Sequence, residues 1–143
     1  MVIEKIKIDD IPDLLQLYTE LTPYKIPIED SIRIYEEILR DNQYLILVAK
    51  DVDKIVGSIL AVSCKCLSCG GDNFLVLEDV IVKEELRGKG IGKMLMKKID
   101  EFAVANHCLY AIVVSSAHRK GAHKFYESVG FTDEVIGFRK FYT

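Results

Sequence analysis

Long apolar runs are missing from this chain. The strongest, Tyr44-Leu45-Ile46-Leu47-Val48-Ala49, is far too short for a membrane-spanning helix, which needs about 20 such residues. An excess of one charge is missing as well. Against 19 basic residues stand 22 acidic ones, a net −3, which argues against a nucleic-acid binder driven by bulk electrostatics. Histidine is scarce, and His107, His118 and His123 fall at no metal-ligand spacing. Glu4, Lys5, Lys7, Asp9 and Asp10 interrupt the N-terminus, so no secretory leader is read there and a cytoplasmic protein is expected. Repeats, low-complexity tracts and linkers are also lacking. The 143 residues therefore read as a single domain, 1–143, large enough to bury a core without metal or disulfide staples.

Cysteine is present but sparse. Cys64, Cys66 and Cys69 cluster, with Cys108 alone at the start of an apolar segment. Four thiolates can bind zinc, yet a zinc knuckle usually uses two Cys-x-x-Cys pairs and Cys108 stands alone, so no metal is expected and a zinc-binding interaction module stands only as a rival reading. In a reducing compartment the cluster reads as free thiols near a hairpin, with Cys69-Gly70-Gly71-Asp72-Asn73 as its turn.

Periodicity predicts an alternating order of elements. Val2 to Ile8 reads as a strand, and Asp9 or Asp10 caps a helix carrying Ile11, Leu14, Leu15, Tyr18 and Leu21. After the break at Thr22-Pro23-Tyr24-Lys25-Ile26-Pro27, a second helix carries Ile32, Tyr35, Ile38 and Leu39. Tyr44 to Lys50 and Lys54 to Ser63 are strands around an Asp51-Val52-Asp53 turn. Phe74 to Val82 is a mostly apolar, β-branched strand, and a helix follows to about Ala105. Leu109 to Val114 is a short strand, Arg119 to Val129 a helix ended by Gly130, and Val135 to Tyr142 a last strand or hairpin.

The most informative stretch is Arg87-Gly88-Lys89-Gly90-Ile91-Gly92-Lys93, where the long strand turns into a helix. Free first-turn N–H groups and the helix dipole favour an anion there, and glycines let a diphosphate approach the amides. The bland alternative is a tight turn. A Walker loop does not fit: one residue is missing between Gly88 and Gly92-Lys93, and Met94 replaces the magnesium-binding hydroxyl. The dinucleotide fingerprint does not fit either, since no suitable carboxylate lies near His107, roughly 20 positions on.

Arg87, Gly90 and Gly92 do fill the fixed positions of Arg/Gln-x-x-Gly-x-Gly/Ala, and the chain thereby resembles the GNAT superfamily of N-acetyltransferases. Ala122-His123-Lys124-Phe125-Tyr126-Glu127-Ser128-Val129-Gly130-Phe131 is similar to that family's late helix and its Phe-Tyr-Glu-x-x-Gly-Phe ending. The resemblance runs from about Leu75 to Phe131. It implies an α/β (α+β) fold with a mixed, mostly antiparallel sheet, flanked by helices and splayed at the strand that meets acetyl-CoA. It also implies acetyl-CoA as cosubstrate and transfer to a primary amine of a small molecule or protein by direct attack in a ternary complex. A non-catalytic acyl-CoA sensor is the alternative.

Site residues follow from the same resemblance. Arg87, Gly88, Lys89, Gly90, Ile91, Gly92 and Lys93 would hold the diphosphate, and the backbone of Val80, Ile81 and Val82 would pair with the pantetheine arm. Simple alternation puts Glu78, Val80 and Val82 on one face and Leu77, Asp79 and Ile81 on the other, unless a bulge exchanges Glu78 and Asp79. Glu78 is then the expected general base, with a solvated or ion-paired carboxylate as its plain alternative. Tyr126 would protonate the coenzyme thiolate, a task a neutral phenol can perform, while aromatic packing is its alternative. Where many family members carry Asn, this chain has Arg119, so Arg119, with Lys120, Lys124 and His118 nearby, would contact phosphate differently, or else forms a solvated helix start. Tyr18, Tyr24 and Tyr35 sit on the acceptor side. Helical spacing explains Tyr18 and Tyr35 as core-edge residues, which leaves Tyr24 as the expected substrate contact. The Val135 to Tyr142 segment can pair between subunits, giving a homodimer.

Overall fold

The computed structural model describes residues 1–116 and 119–143, so His118 lies outside the described residues. They form two compact units, Met1–Val113 and Val114–Thr143. The first unit is built on a five-stranded sheet whose spatial order equals its chain order: β1 (Val2–Lys5), β2 (Tyr44–Asp51), β3 (Lys54–Lys65), β4 (Asn73–Val82) and β5 (Cys108–Val113). The first four strands are antiparallel and β5 runs parallel to β4. The parallel connection is made by helix α3 (Ile91–Ala105), as a crossover between parallel strands requires. Helices α1 (Ile11–Tyr18) and α2 (Ile28–Leu39) are inserted between β1 and β2.

Register decides which side chains meet which helix. Val48, Ser58 and Ile81 are aligned across β2, β3 and β4, and on that face Val48 and Ile81 join Ile6, Ile11, Leu14, Leu17, Tyr35 and Ile55 in one core cluster. On the other face Ala49, Gly57 and Val82 are aligned. A Cβ added at Gly57 would lie 3.2 Å from Leu95 Cδ1 and 3.3 Å from Ile91 Cγ2, so α3 rests directly on this bare position. Ile59, Leu75, Leu77, Leu95 and Ile99 are fully buried.

Local chemistry sets the boundaries. Val52 and Asp53 both take positive φ, +46° and +67°, which closes β2 onto β3 as a two-residue turn. Asp10 directs Oδ2 back to the Lys7 N–H at 2.8 Å, and its Oδ1 accepts from Lys50 Nζ at 2.7 Å. Lys50 Nζ also reaches Glu4 Oε1 at 2.7 Å, which ties β1 and the start of α1 to β2.

In the second unit, helix α4 (Lys120–Ser128) ends at Gly130, with φ +105° and the Phe131 N–H donating to Tyr126 O at 3.0 Å, a Schellman closure.

Two expectations are corrected. The segment expected as a last strand, Val135 to Tyr142, carries no regular secondary structure, and Val135, Ile136, Phe138 and Tyr142 are exposed. Propensity alone does not make a strand without ladder partners. The expectation of free thiols fails for two cysteines: Cys66 and Cys69 form a disulfide, because the turn between them brings their Cα atoms to 5.5 Å, within bridging range. Cys64 and Cys108 are free. No group of three or more potential metal ligands converges among the described residues, and none of the described helices is long and apolar enough to cross a membrane.

Candidate functional site

Strand β4 is regular only in its first half. Leu60 pairs with Glu78 and Ser58 with Ile81, so two residues of β4, Asp79 and Val80, oppose the single Ile59. Asp79 takes up the extra residue at φ +52°. This bulge reverses the alternation: Ile81 falls on the side of Glu78 rather than of Leu77. The side chain of Ile81 is consequently in the core cluster against α1, 3% exposed, and only its backbone borders the far edge of the strand. Glu78 is exposed. The register of β4 with β5 runs from Asn73 to Leu77 on β4 and from Cys108 to Val113 on β5.

Asp79 is half-buried, and that burial holds its carboxyl above the ordinary carboxylate range. Its charge in turn adds to burial in pushing the Tyr18 phenol well above its usual value, while the Ser58 hydroxyl beside Tyr18 opposes the shift. Tyr18 thus packs at the edge of the core with its hydroxyl among polar groups of β3 and β4.

The glycine loop has a definite shape. Gly88 and Gly90 take φ +78° and +86°, values that favour glycine, and a Cβ built on either meets no heavy atom within 4 Å. The space above them is therefore open. Gly90 is the N-cap of α3, no side chain caps that helix, and its first turn holds no acidic residue. Its leading amides are left for an external acceptor, and Ile91 is buried against the sheet while Lys89 and Lys93 are exposed. These features fit a diphosphate: open room above the glycines, uncapped amides and cationic side chains.

Arg87 is fixed at the mouth of this turn. Its Nε donates to Val82 O at 2.9 Å, and its Nη2 lies 3.9 Å from Glu20 Oε1. The same Glu20 oxygen accepts from the Glu84 N–H at 2.9 Å. Val80 to Val82 and Arg87 to Lys93 are thus brought together in one unit. Tyr24 lies in the segment between α1 and α2, exposed, its N–H donating to Thr22 Oγ1 at 3.2 Å.

Arg119 and Tyr126 belong to the second unit. Arg119 is the N-cap of α4 and accepts from the His123 N–H at 3.2 Å. Tyr126 is buried, with its ring 5.5 Å from that of Phe125 and 5.8 Å, edge-on, from that of Phe131. Just before α4 the buried Ser115 hydroxyl has no hydrogen-bond partner among the described residues. Glu20 and Gly57 were not singled out from the sequence. Nothing local marks them, since each acts on a segment far along the chain.

The mixed five-stranded sheet with its flanking helices and its glycine-lined start of α3 is of the α/β class. The family model described as Acetyltransferase (GNAT) family matches residues 11–131, and the chain belongs to that family. That family draws its acetyl group from acetyl-CoA. Among its relatives, the thialysine N-epsilon-acetyltransferase of Bos taurus is 29% identical over 147 residues, covering 93% of this chain and 85% of that one. The N-acetylaspartate synthetase of Xenopus tropicalis is 43% identical, but over 60 residues, 42% of this chain and only 22% of the synthetase. A putative acetyltransferase from Agrobacterium tumefaciens superposes with a TM-score of 0.88 at 25% identity, over 98% of this chain and 99% of its own.

Proposed function

We propose that this protein moves the acetyl group of acetyl-CoA to the primary amine of a small molecule by direct attack within a ternary complex, and that residues 1–143 are a single N-acetyltransferase domain. The observation that carries this reading is the open turn at Gly88 and Gly90 feeding the start of α3, which no side chain caps among the described residues. The first-turn amides with Arg87, Lys89 and Lys93 would hold the diphosphate, and the backbone from Val80 to Val82 would take the pantetheine arm as an added strand. Arg119 would contribute a further phosphate contact. The match of one family model to residues 11–131 supports reading the chain as one domain.

Chemistry then needs a neutral amine. In the proposed reaction Glu78, exposed next to the bulge, accepts a proton from the ammonium. The amine nitrogen bonds to the acetyl carbon, the carbon–sulfur bond breaks, Tyr126 donates a proton to the leaving thiolate, the second proton shed by the nitrogen passes through water to the Tyr126 oxygen, and Glu78 releases its proton to solvent. Tyr24 would touch the acceptor. A small-molecule acceptor is favoured by the nearly full-length relative, which acetylates thialysine by its name. The setting is proposed as cytoplasmic, in line with the need for acetyl-CoA. A homodimer through residues 135–142 is part of the proposal, supported by the exposed Ile136 and Phe138.

Purified protein with acetyl-CoA and a panel of amines, including thialysine, aspartate, an amino sugar phosphate and an aminoglycoside, should release free thiol with at least one acceptor. No release together with no coenzyme binding would overturn the proposal. Glu78→Gln and Tyr126→Phe should each lower kcat by about 10²-fold or more while leaving coenzyme A affinity nearly unchanged.

A further inference from the structure

Glu20 lies two residues beyond the end of α1, where the helix dipole disfavours a carboxylate. Its position is explained by what it touches. Oε1 accepts from the Glu84 N–H at 2.9 Å, capping the short turn Glu84–Leu86 that leads into the glycine loop. It also lies 3.9 Å from Arg87 Nη2, while Arg87 Nε is engaged by Val82 O. A single carboxylate therefore shapes the donor loop and partly neutralises the guanidinium at its mouth. The chain continues from Glu20 through Leu21 and Thr22 to the exposed Tyr24.

We propose that Glu20 is a positioning residue that holds the Glu84–Arg87 turn in shape and competes with the incoming diphosphate for Arg87, so that donor binding releases the Leu21–Pro27 segment on the acceptor side. The inference rests on the reading that Arg87 meets the diphosphate. Glu20 does two separable things, and substitutions separate them. An amide oxygen still accepts from the Glu84 N–H but no longer attracts Arg87, whereas alanine does neither.

The experiment uses coenzyme A itself as the probe, with calorimetric Kd values at low and high salt and hydrogen exchange on the full chain. Glu20→Gln should bind coenzyme A about two- to fivefold more tightly than wild type at low salt, as loss of an exposed ion pair to a competitor allows, with the gain shrinking at high salt. Glu20→Ala should bind about fivefold less tightly than Glu20→Gln, and its Glu84 amide should exchange faster. Coenzyme A should speed exchange across residues 19–27 in wild type and leave it unchanged in Glu20→Gln. Equal affinities for wild type and Glu20→Gln, or identical shifts in both variants, would overturn the role of Glu20 while leaving the transferase reading intact. Failure of wild type to bind coenzyme A at all would overturn both. Circular dichroism of the variants separates these outcomes from misfolding.

Discussion

Asp79 combines two costs at one position, a positive φ on a non-glycine residue and a half-buried carboxylate held above its ordinary proton affinity. Since the folded state binds that proton more tightly than the unfolded chain, stability from this group is lost as pH rises through and above the ordinary value of 3.8. Asp79→Asn removes the charge and keeps a residue that tolerates the left-handed region. Melting curves from pH 4 to pH 8 should show a Tm above wild type at neutral pH, with the difference shrinking on acidification. A variant less stable than wild type at pH 7 would mean that Asp79 has a stabilising partner instead. Gly90 poses the opposite case, a positive φ that only glycine adopts freely. Gly90→Val should cost about 1–2 kcal/mol in backbone strain and fill the open side of the cradle, weakening coenzyme A binding by about tenfold or more. Calorimetry on the folded variant checks this.

Among the elements, α3 starts at the glycine loop and is seated on β3 at Gly57. Gly57 leaves room for Ile91 and Leu95, with Ile81 O also 3.3 Å from where a Cβ would stand. Backbone on one side and the first turn of α3 on the other cannot both stay. Gly57→Ala should destabilise by about 1–3 kcal/mol, as overpacking does, and lift the start of α3 enough to weaken coenzyme A binding. A lowered Tm with unchanged affinity would show that the helix start is fixed by the loop rather than by its seat. Element order was largely legible in the sequence: the helix after the glycines, the hairpin at Val52 and Asp53 and the Gly130 stop all rest on local spacing and turn chemistry. The last strand was not legible, because β-branched and aromatic residues at 135–142 report a preference and not a partner. Cys66 and Cys69 likewise required the turn geometry before pairing could be distinguished from free thiols.

At the scale of the whole molecule, a diphosphate bound as proposed at the open turn before α3 should act on global stability. A ligand at about 100 times its Kd adds about 2.7 kcal/mol to the folded state, and coenzyme A at that concentration should raise Tm measurably, whereas a dephosphorylated pantetheine fragment should raise it far less. Equal shifts from both would move the affinity away from the glycine loop. By itself the sequence determined the glycine turn into α3: the spacing of Arg87, Gly90 and Gly92 between a strand and a helix is a local property, fixed by neighbours along the chain. It also determined that the core is built from an alternation of short amphipathic elements. Tertiary structure alone decided the parity of β4 beyond Asp79, the burial of Ile81, the seat at Gly57 and the reach of Glu20 to Glu84, 64 positions away. Each of these depends on register and packing between distant segments, and no local pattern of residue types encodes which of two faces a strand shows after a bulge.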